Sequence, residues 1–374
     1  MKTVHGGNIF DEYGVADDEL IDFSTNINPL GMRDEARDAM RDAIERTGIY
    51  PDSRSLELSA KIAEHEGVER EQVLCGGGAS DIIFRFAYAV MGLAKGSGDD
   101  VEIQKHTAAH RPATVLLTAP SFSDYERAAR AAGADIEYHY LEKEKGFAID
   151  GSIIGAIRTA APDAVFVCNP NNPVGSLMDA SLVKNIAEEC RSAGAMLLVD
   201  ECFLDFVDGH ARFSAIPLVD GYRNIVVLKA FTKTFSMPGA RLGYAVCGDI
   251  GFVEKMRSCG PDWPVSNIAQ AGGIASLRDA SDYLNESRNF IVEQREFLVR
   301  ELMCLGMVVY PPSANFIFFY CPSGSGLAGA LLERGILIRD CSNYVGLGAG
   351  YYRVAVLDEE KNKRLIEALR SALI

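Results

Sequence analysis

Short apolar runs alternate along most of the chain with stretches in which apolar residues recur every three or four positions. The runs are QVLCGG (72–77), ATVLLTAP (113–120), DIEYHYL (135–141), DAVFVCNP (163–170), AMLLVDE (195–201), NIVVLKAF (224–231) and LGYAVCG (242–248). Unbroken apolar runs are typical of strands buried on both faces, and intervening stretches such as SLVKNIAEECRSAG are typical of helices. The alternation predicts an α/β fold built on a mainly parallel, seven-stranded sheet with helices on both faces.

The pattern changes from about residue 275. A long helical stretch, SDYLNESRNFIVEQREFLVRELMCLG, is followed by ANFIFFYCP, LLERGILIRD and YYRVAVLD. Strands and helices in this arrangement predict a second, smaller α+β domain.

The composition of the chain limits which binding partners and which cellular compartment are expected. The 374 residues carry a formal charge of −15, so the mean field repels nucleic acids and acidic membranes, and an anionic substrate needs local cations. Nine cysteines, an odd number without a CxxC pair, indicate reduced thiols. The start has no run resembling a signal peptide, and no run of about 18 apolar residues occurs, so we expect a cytoplasmic protein without a membrane span.

The polar, glycine-rich composition of segment 92–112 predicts an exposed loop. His106 and His110 within it have i,i+4 spacing, but no carboxylate motif accompanies them. We therefore expect a solvated loop rather than a metal site, and no metal elsewhere.

Chemistry-bearing residues follow several of the predicted strands. The sequence GGGAS (76–80) opens a helix after the first strand and is suited to bind a phosphate. Asn172, Asp200 with Glu201, and then Lys233 with Arg241 follow later strands. Since ligands of parallel sheets bind at the carboxyl ends of strands, these groups are expected at one edge. On these residues alone a nicotinamide-dependent oxidoreductase stays open, although the GxGxxG spacing is missing.

The segment TKTFSMPGARLGY (232–244) gives the set a family resemblance. Together with the order of the glycine-rich turn, an aromatic, NPNNP, DE, Lys and Arg, it resembles the fold-type I pyridoxal-phosphate enzymes of the class I/II aminotransferase superfamily over essentially the whole chain. The resemblance implies an N-terminal arm and part of the small domain at 1–45, a large cofactor domain at 46–260, and a small C-terminal domain at 261–374.

The resemblance also implies roles around the cofactor ring. Lys233 forms the Schiff base with pyridoxal 5'-phosphate and acts as general acid/base at the substrate Cα. Asp200 pairs with the pyridine nitrogen and keeps it protonated. Asn172 contacts the phenolic oxygen and the substrate, and Phe122 stacks on the ring. Lys229 is the rival lysine, but the family spacing to the arginine favours Lys233.

The cofactor phosphate has its own implied set. Arg241, Ser80 and the turn at Gly78 and Ala79 hold it, and Thr232 is expected to compensate for Ala230, where relatives usually carry a hydroxyl. Tyr50 matches a tyrosine that reaches the phosphate from the neighbouring subunit, which implies a homodimer with shared sites.

Two branches of the superfamily compete, the histidinol-phosphate aminotransferases and the threonine-phosphate decarboxylases of cobalamin assembly. The sequences HGGNI (5–9), IDFSTNINPLG (21–31) and GILIRDCSNYVGLGAGYYRVAV (335–356) resemble the decarboxylase branch, and so does Phe203 where aminotransferases usually carry a tyrosine. By that resemblance Arg353 binds the substrate carboxylate, and Arg339, His5 and Asn26 face its phosphate.

The expected reaction is therefore decarboxylation of L-threonine O-3-phosphate to 1-amino-2-propanol O-2-phosphate. The alternative is an aminotransferase acting on histidinol phosphate or a similar amine, because both reactions begin in the same way and differ in which Cα bond is aligned to break. A third alternative is a non-catalytic regulator that binds the cofactor. We do not favour it, because the chain is acidic and the enzyme motifs begin almost at its first residue, whereas such regulators usually carry a fused DNA-binding module.

Overall fold

A large mixed sheet forms the centre of the molecule. The computed structural model describes residues 20–94, 113–322 and 326–373. The seven strands are β2 (Val73–Gly76), β3 (Thr114–Ala119), β4 (Asp135–Tyr140), β5 (Ala164–Cys168), β6 (Met196–Asp200), β7 (Ile225–Ala230) and β8 (Gly243–Cys247). Each falls within one of the apolar runs, so the prediction of a seven-stranded, mainly parallel sheet is confirmed.

The strands lie in the order β2-β8-β7-β6-β5-β3-β4. All neighbours are parallel except that β8 runs antiparallel to both β2 and β7. The edge strand β4 is only half-buried, which explains why its sequence alternates polar and apolar residues. The carboxyl ends of β5, β6 and β7 meet side by side, and this edge carries the site.

Helices cover both faces of this sheet. They are α2 (Leu56–Glu66), α3 (Ala79–Ala94), α4 (Ser123–Ala131), α5 (Ser152–Ala160), α6 (Ala180–Ala193), the single turn α7 (Phe231–Thr234) and α8 (Ile250–Ser258). Successive residues of β6 belong to opposite layers: Leu197 and Val199 pack into one apolar cluster and Leu198 into the other. Burial on both faces is the reason that these strands are continuously apolar.

The remaining elements lie at the two ends of the chain. The helices are α1 (Asp34–Asp42), α9 (Asn267–Leu277), α10 (Ala280–Cys304), α11 (Leu327–Leu332) and α12 (Glu359–Ala372). Strands β9 (Val308–Val309), β10 (Phe316–Tyr320), β12 (Arg339–Asp340) and β13 (Tyr351–Ala355) form an antiparallel sheet in the order β12-β13-β10-β9. Strand β1 (Ile21–Asp22) pairs in parallel with β11 (Ile336–Leu337), so the first described residues join the C-terminal part.

The long helix α10 confirms the helical stretch predicted after residue 275, and the antiparallel sheet confirms the smaller α+β unit. A separate apolar cluster, with Phe319, Val354 and Leu365 fully buried, forms its core. Helix α12 begins at the side chain of Asp358, which accepts a hydrogen bond from Lys361 N at 2.9 Å and caps the first turn. The domain boundaries at 45 and 260 stay a prediction.

Candidate active site

A cavity of about 220 Å³ opens where the central strands end. Its wall comes from strand ends, from the starts of α3 and α4, and from the extended segment after β1. The lining residues are Ser24, Thr25, Asn26, Ala79, Ser80, Phe122, Asp124, Tyr125, Cys168, Asn172, Asp200, Cys202, Phe203, Ala230, Thr232, Lys233, Arg241, Tyr344 and Arg353. Most of the site residues expected from the sequence are therefore brought together.

The glycine-rich turn and Arg241 form one side of the cavity. Gly78 has φ +96°, and a Cβ added there would lie 2.6 Å from Nη2 of Arg241. A Cβ on Gly243 of β8 would lie 2.7 Å from the backbone nitrogen of Ala79. Glycine is thus required twice, because the arginine and the neighbouring strand both approach the turn closely.

The hydroxyl of Ser80 lies on the same side of the cavity. It donates a hydrogen bond to Oδ2 of Asp124 at 2.7 Å. To donate to a phosphate instead, it would have to turn away from that carboxylate. Together with the first N–H groups of α3 and the Arg241 guanidinium, the turn presents positive charge to the cavity.

Asp200, the last residue of β6, is buried at the floor. Tyr125 donates its hydroxyl to Oδ2 at 2.6 Å, and the Cys202 N–H donates to Oδ1 at 2.9 Å. Burial raises the pKa of Asp200, while these hydrogen bonds and the Lys233 charge oppose the rise. Tyr125 was not among the site residues inferred from the sequence. Its position in the first turn of α4, three residues after Phe122, was the available signal.

Lys233 lies in the helical turn α7, just beyond the end of β7. Burial of its ammonium, and then the nearby Arg353 cation, lower the pKa of Lys233 to about 8. Its Nζ lies 5.7 Å from the centre of the Phe203 ring, which packs edge-on against Phe316 at 5.1 Å. The amine therefore faces an aromatic wall without a hydroxyl at position 203.

Lys229 does not line the cavity. It is buried, and its Nζ forms ion pairs with Asp205 at 3.0 Å and Glu66 at 3.1 Å. Burial disfavours its charge, but the two carboxylates outweigh burial and raise the pKa of Lys229. A lysine held as a cation in this way is unsuited to act as a nucleophile.

Arg353 reaches the cavity from β13 and is almost fully buried. Its Nη1 donates to Oδ1 of Asn172, and its Nη2 donates to the Ser24 carbonyl at 2.8 Å. With its amide oxygen turned toward the guanidinium, Asn26 accepts from Nη1 and Nε at 3.3 Å each. Ser24 contributes through a backbone carbonyl, for which no sequence signal exists.

Arg339 lies in a neighbouring cavity of about 230 Å³ that shares Phe122 and Tyr344 with the first. It is buried, donates to Oδ1 of Asn343 at 2.8 Å and lies 5.1 Å from the centre of the Tyr344 ring. In the sheet register Arg339 is directly opposite Arg353. The structure thus brings the two arginines together but places them in adjoining compartments.

Of the other expected site residues, the structure describes the position of Tyr50. Tyr50 is 79% exposed, outside this chain's cavity, with its ring 4.7 Å from that of Trp263. His5, His106 and His110 lie outside the described residues. Within the described ranges, no three His, Cys, Asp or Glu side chains are grouped to hold a metal ion. No helix in the described part of the chain is long and apolar enough to span a membrane.

Similarity to known proteins extends over nearly the whole chain. Residues 18–369 match the family model described as aminotransferase class I and II. The chain is 33% identical to the threonine-phosphate decarboxylase of Salmonella typhimurium, covering 100% of this chain and 97% of the relative. It is 32% identical to histidinol-phosphate aminotransferase 2 of Archaeoglobus fulgidus, covering 95% and 93%.

A solved structure agrees with this picture. The histidinol-phosphate aminotransferase of Clostridium acetobutylicum superposes with a TM-score of 0.83 at 28% identity, covering 95% of this chain and 99% of that one. The family match, the full-length relatives and the shared architecture all agree. The chain belongs to the class I and II aminotransferase family, whose fold is that of the fold-type I enzymes and whose cofactor is pyridoxal 5'-phosphate.

Proposed function

We propose that this protein decarboxylates L-threonine O-3-phosphate to 1-amino-2-propanol O-2-phosphate. The observation that carries the proposal is the pair of buried arginines, Arg353 and Arg339, directly opposite each other on adjacent strands. Two cations this close together suit a substrate with two anionic groups, one for each arginine. The full-length similarity to a threonine-phosphate decarboxylase supports the same substrate class.

The residues present fit the family cofactor. Without a side chain at Gly78 the Arg241 guanidinium packs against the turn, so that a cation and the start of α3 adjoin on one side of the cavity, which suits a phosphate. Asp200 offers a buried carboxylate for the pyridine nitrogen, Asn172 an amide for the phenolic oxygen, and Phe122 a ring on the cavity wall. Arg241, Ser80, Ala79 and Thr232 complete the set that would hold it.

When bound, pyridoxal phosphate withdraws electrons from the Cα of an attached amino acid, so that one bond to Cα can break. Arg353 would bind the substrate carboxylate in exchange for hydrogen bonds that it donates to Asn172 and Asn26, and would orient the bond between Cα and that carboxylate. That bond breaks, CO₂ leaves, and its electron pair stays on the Cα side. Lys233, with a pKa of about 8, would then deliver a proton to Cα.

The phosphate end of the substrate would extend toward Arg339 in the neighbouring cavity. Phe122 and Tyr344, which line both cavities, would flank the substrate between its two charged ends. Asn26 lies beside Arg353 and would add a polar contact, and His5 is proposed as a further phosphate contact from the sequence. This arrangement supplies local cations to an acidic protein.

The oligomeric state and the cellular location are also proposed. We infer a homodimer with shared sites, since Tyr50 and Trp263 form an exposed aromatic pair outside this chain's own cavity. We infer a cytoplasmic location, since the cavity-lining Cys168 and Cys202 are free thiols, which a reducing compartment maintains. The link to cobalamin assembly stays a prediction.

Transamination of histidinol phosphate is the second candidate, favoured by the 32% identity to an aminotransferase of that substrate. Phe203 argues against it, because it offers no hydroxyl to the cavity at a position where those enzymes usually carry a tyrosine.

The test is direct. Purified protein is supplied with pyridoxal phosphate and carboxyl-labelled L-threonine O-3-phosphate, and labelled CO₂ and the amino-alcohol phosphate are measured. Wild type should release one CO₂ for each product molecule, and Lys233→Ala should release none. Parallel incubation with histidinol phosphate and 2-oxoglutarate measures glutamate. Glutamate formation without CO₂ would reject decarboxylation in favour of transamination.

A further inference from the structure

Lys233 lies in a segment whose two ends are tied to one buried carboxylate. The segment starts at Lys229, near the end of β7, and finishes at Thr234, at the end of α7. Asp205 accepts from Lys229 Nζ at 3.0 Å with Oδ1 and from Thr234 Oγ1 at 3.0 Å with Oδ2. Each carboxylate oxygen thus anchors one end of the stretch that carries Lys233.

Other residues hold both Lys229 and Asp205 in place. Glu66 at the end of α2 binds Lys229 Nζ at 3.1 Å and accepts from the Tyr244 hydroxyl of β8. The Asp205 carbonyl accepts from Arg288 Nη1 of α10 at 3.0 Å. The side chains of Lys229, Glu66 and Asp205 are each at most 10% exposed. In such surroundings charge-assisted hydrogen bonds are strong and hold their geometry.

Asp205 also lies five residues after Asp200. The intervening chain is short and buried, and Leu204 and Phe206 on either side of Asp205 are fully enclosed. The same carboxylate therefore fixes the distance between the segment that carries Lys233 and the strand end that carries Asp200. A fixed distance between an amine and a carboxylate that line the same cavity is what catalysis by orientation requires.

We propose that Asp205 is a positioning residue: by bridging Lys229 and Thr234 it fixes the helical turn α7 so that Lys233 faces the cofactor cavity. The inference rests on Lys233 being the cofactor lysine in the proposed function. It assigns no contact with cofactor or substrate to Asp205, Lys229 or Thr234, none of which lines the cavity.

An independent clamp acts on the same turn and makes a specific test feasible. Asn28 donates its N–H to the Lys233 carbonyl at 3.1 Å, and its Nδ2 donates to the Thr234 carbonyl at 2.9 Å. With this clamp intact, Thr234→Val should keep α7 folded, since valine has nearly the shape of threonine. Asp205→Ala, in contrast, would leave Lys229 with one counter-ion and endanger the fold.

The experiment measures capture of pyridoxal phosphate by the full-length apoprotein, so it needs no substrate. The rate of appearance of bound-cofactor absorbance is followed, and the adduct is then reduced with borohydride and located by mass spectrometry. Thr234→Val should slow capture about tenfold, because the amine spends less time in the productive orientation. Thr234→Ser, which restores the hydroxyl, should return the rate to within about twofold of wild type.

Ser276→Ala is the matched control. It removes a buried hydroxyl that donates to the Gly272 carbonyl at 2.7 Å in α9. It should lower the thermal midpoint by less than Thr234→Val, because the bond it removes joins neutral groups, and it should leave the capture rate near that of wild type. Three results would each overturn the positioning role alone. They are a capture rate for Thr234→Val equal to that of wild type, a capture rate for Ser276→Ala as slow as that of Thr234→Val, and a capture rate for Thr234→Ser that stays slow. A wild-type adduct on a lysine other than Lys233 overturns this role and the proposed function together.

Discussion

Replacing Tyr125 by phenylalanine removes one oxygen atom from the floor of the cavity and should create a pH-dependent loss of stability. The ring packs between Phe166 at 5.4 Å and Phe122 at 5.6 Å, and phenylalanine keeps those contacts. What disappears is the 2.6 Å hydrogen bond to Asp200, while the N–H and the thiol of Cys202 still interact with this carboxylate.

The size of the loss depends on the protonation of Asp200. A hydrogen bond to a charged group contributes about 1.5–3 kcal/mol and one between neutral groups about 1 kcal/mol. The variant should therefore lose about 1 kcal/mol where Asp200 is protonated and about 2–3 kcal/mol where it is ionised. Burial raises the pKa of Asp200 above its unfolded value, so the folded state retains a proton that the unfolded state releases.

Stability from this group is therefore greatest at acidic pH and falls as pH rises through the folded-state pKa. Losing the Tyr125 donor raises that pKa further, so the difference between variant and wild type should widen as pH rises through the wild-type folded-state pKa and level off above that of the variant. Urea unfolding of both apoproteins at equal concentration, from pH 5 to 8, measures this difference directly.

Tyr222→Phe provides the control, because the Tyr222 hydroxyl donates to Glu188 at 2.7 Å at the protein surface, where water replaces the lost donor. Its loss should not vary over the same pH range. A Tyr125→Phe difference that is flat with pH, or that narrows as pH rises, would refute the hydrogen bond from Tyr125 to Asp200 as the source of the loss.

Three other perturbations have definite expected outcomes. Lys229→Met leaves two buried carboxylates without their counter-ion and should cost about 3–5 kcal/mol in urea unfolding, so a loss below about 1 kcal/mol would contradict the buried ion pairs. Gly78→Ala brings a Cβ against Arg241 and should weaken pyridoxal-phosphate binding at least about tenfold by absorbance titration, whereas Gly155→Ala, which meets no atom within 4 Å, should not. The rate at which apoprotein captures the cofactor should rise with pH around a midpoint near the Lys233 pKa of about 8, since only the neutral amine reacts, and a midpoint at the ordinary lysine value would contradict the effect of burial.

The fold could be read from the sequence because its signal is local. The central strands β5 and β6 are apolar runs because both of their faces are buried, whereas the edge strand β4 alternates polar and apolar residues because it is only half-buried. The reversed direction of β8 was not readable, since direction depends on the connection and not on the strand's own residues.

The site was readable where chemistry follows directly on a strand. Asp200 ends β6 and Lys233 follows β7 by a few residues, so the strand-end rule finds both. Tyr125 and Ser24 were missed because they reach the site through long-range contacts, one by a hydroxyl and the other by a backbone carbonyl. Arg339 was expected beside the other substrate-binding residues, and the structure places it in an adjoining cavity. This division could not be predicted from the sequence, because the side chains that separate the two cavities come from several elements.

The order of strands in the large sheet has a consequence for how the phosphate-binding side is assembled. Strand β2 precedes the glycine-rich turn and lies at the sheet edge, where its neighbour in the sheet is β8. During synthesis five other strands leave the ribosome between these two, so the turn and Arg241 meet only after most of the large sheet has been made. The turn is thus among the last parts to become ordered and, as an edge element, among the first to open. Cofactor supplied during refolding should therefore stabilise the pairing of β2 with β8 more than it stabilises the central strands.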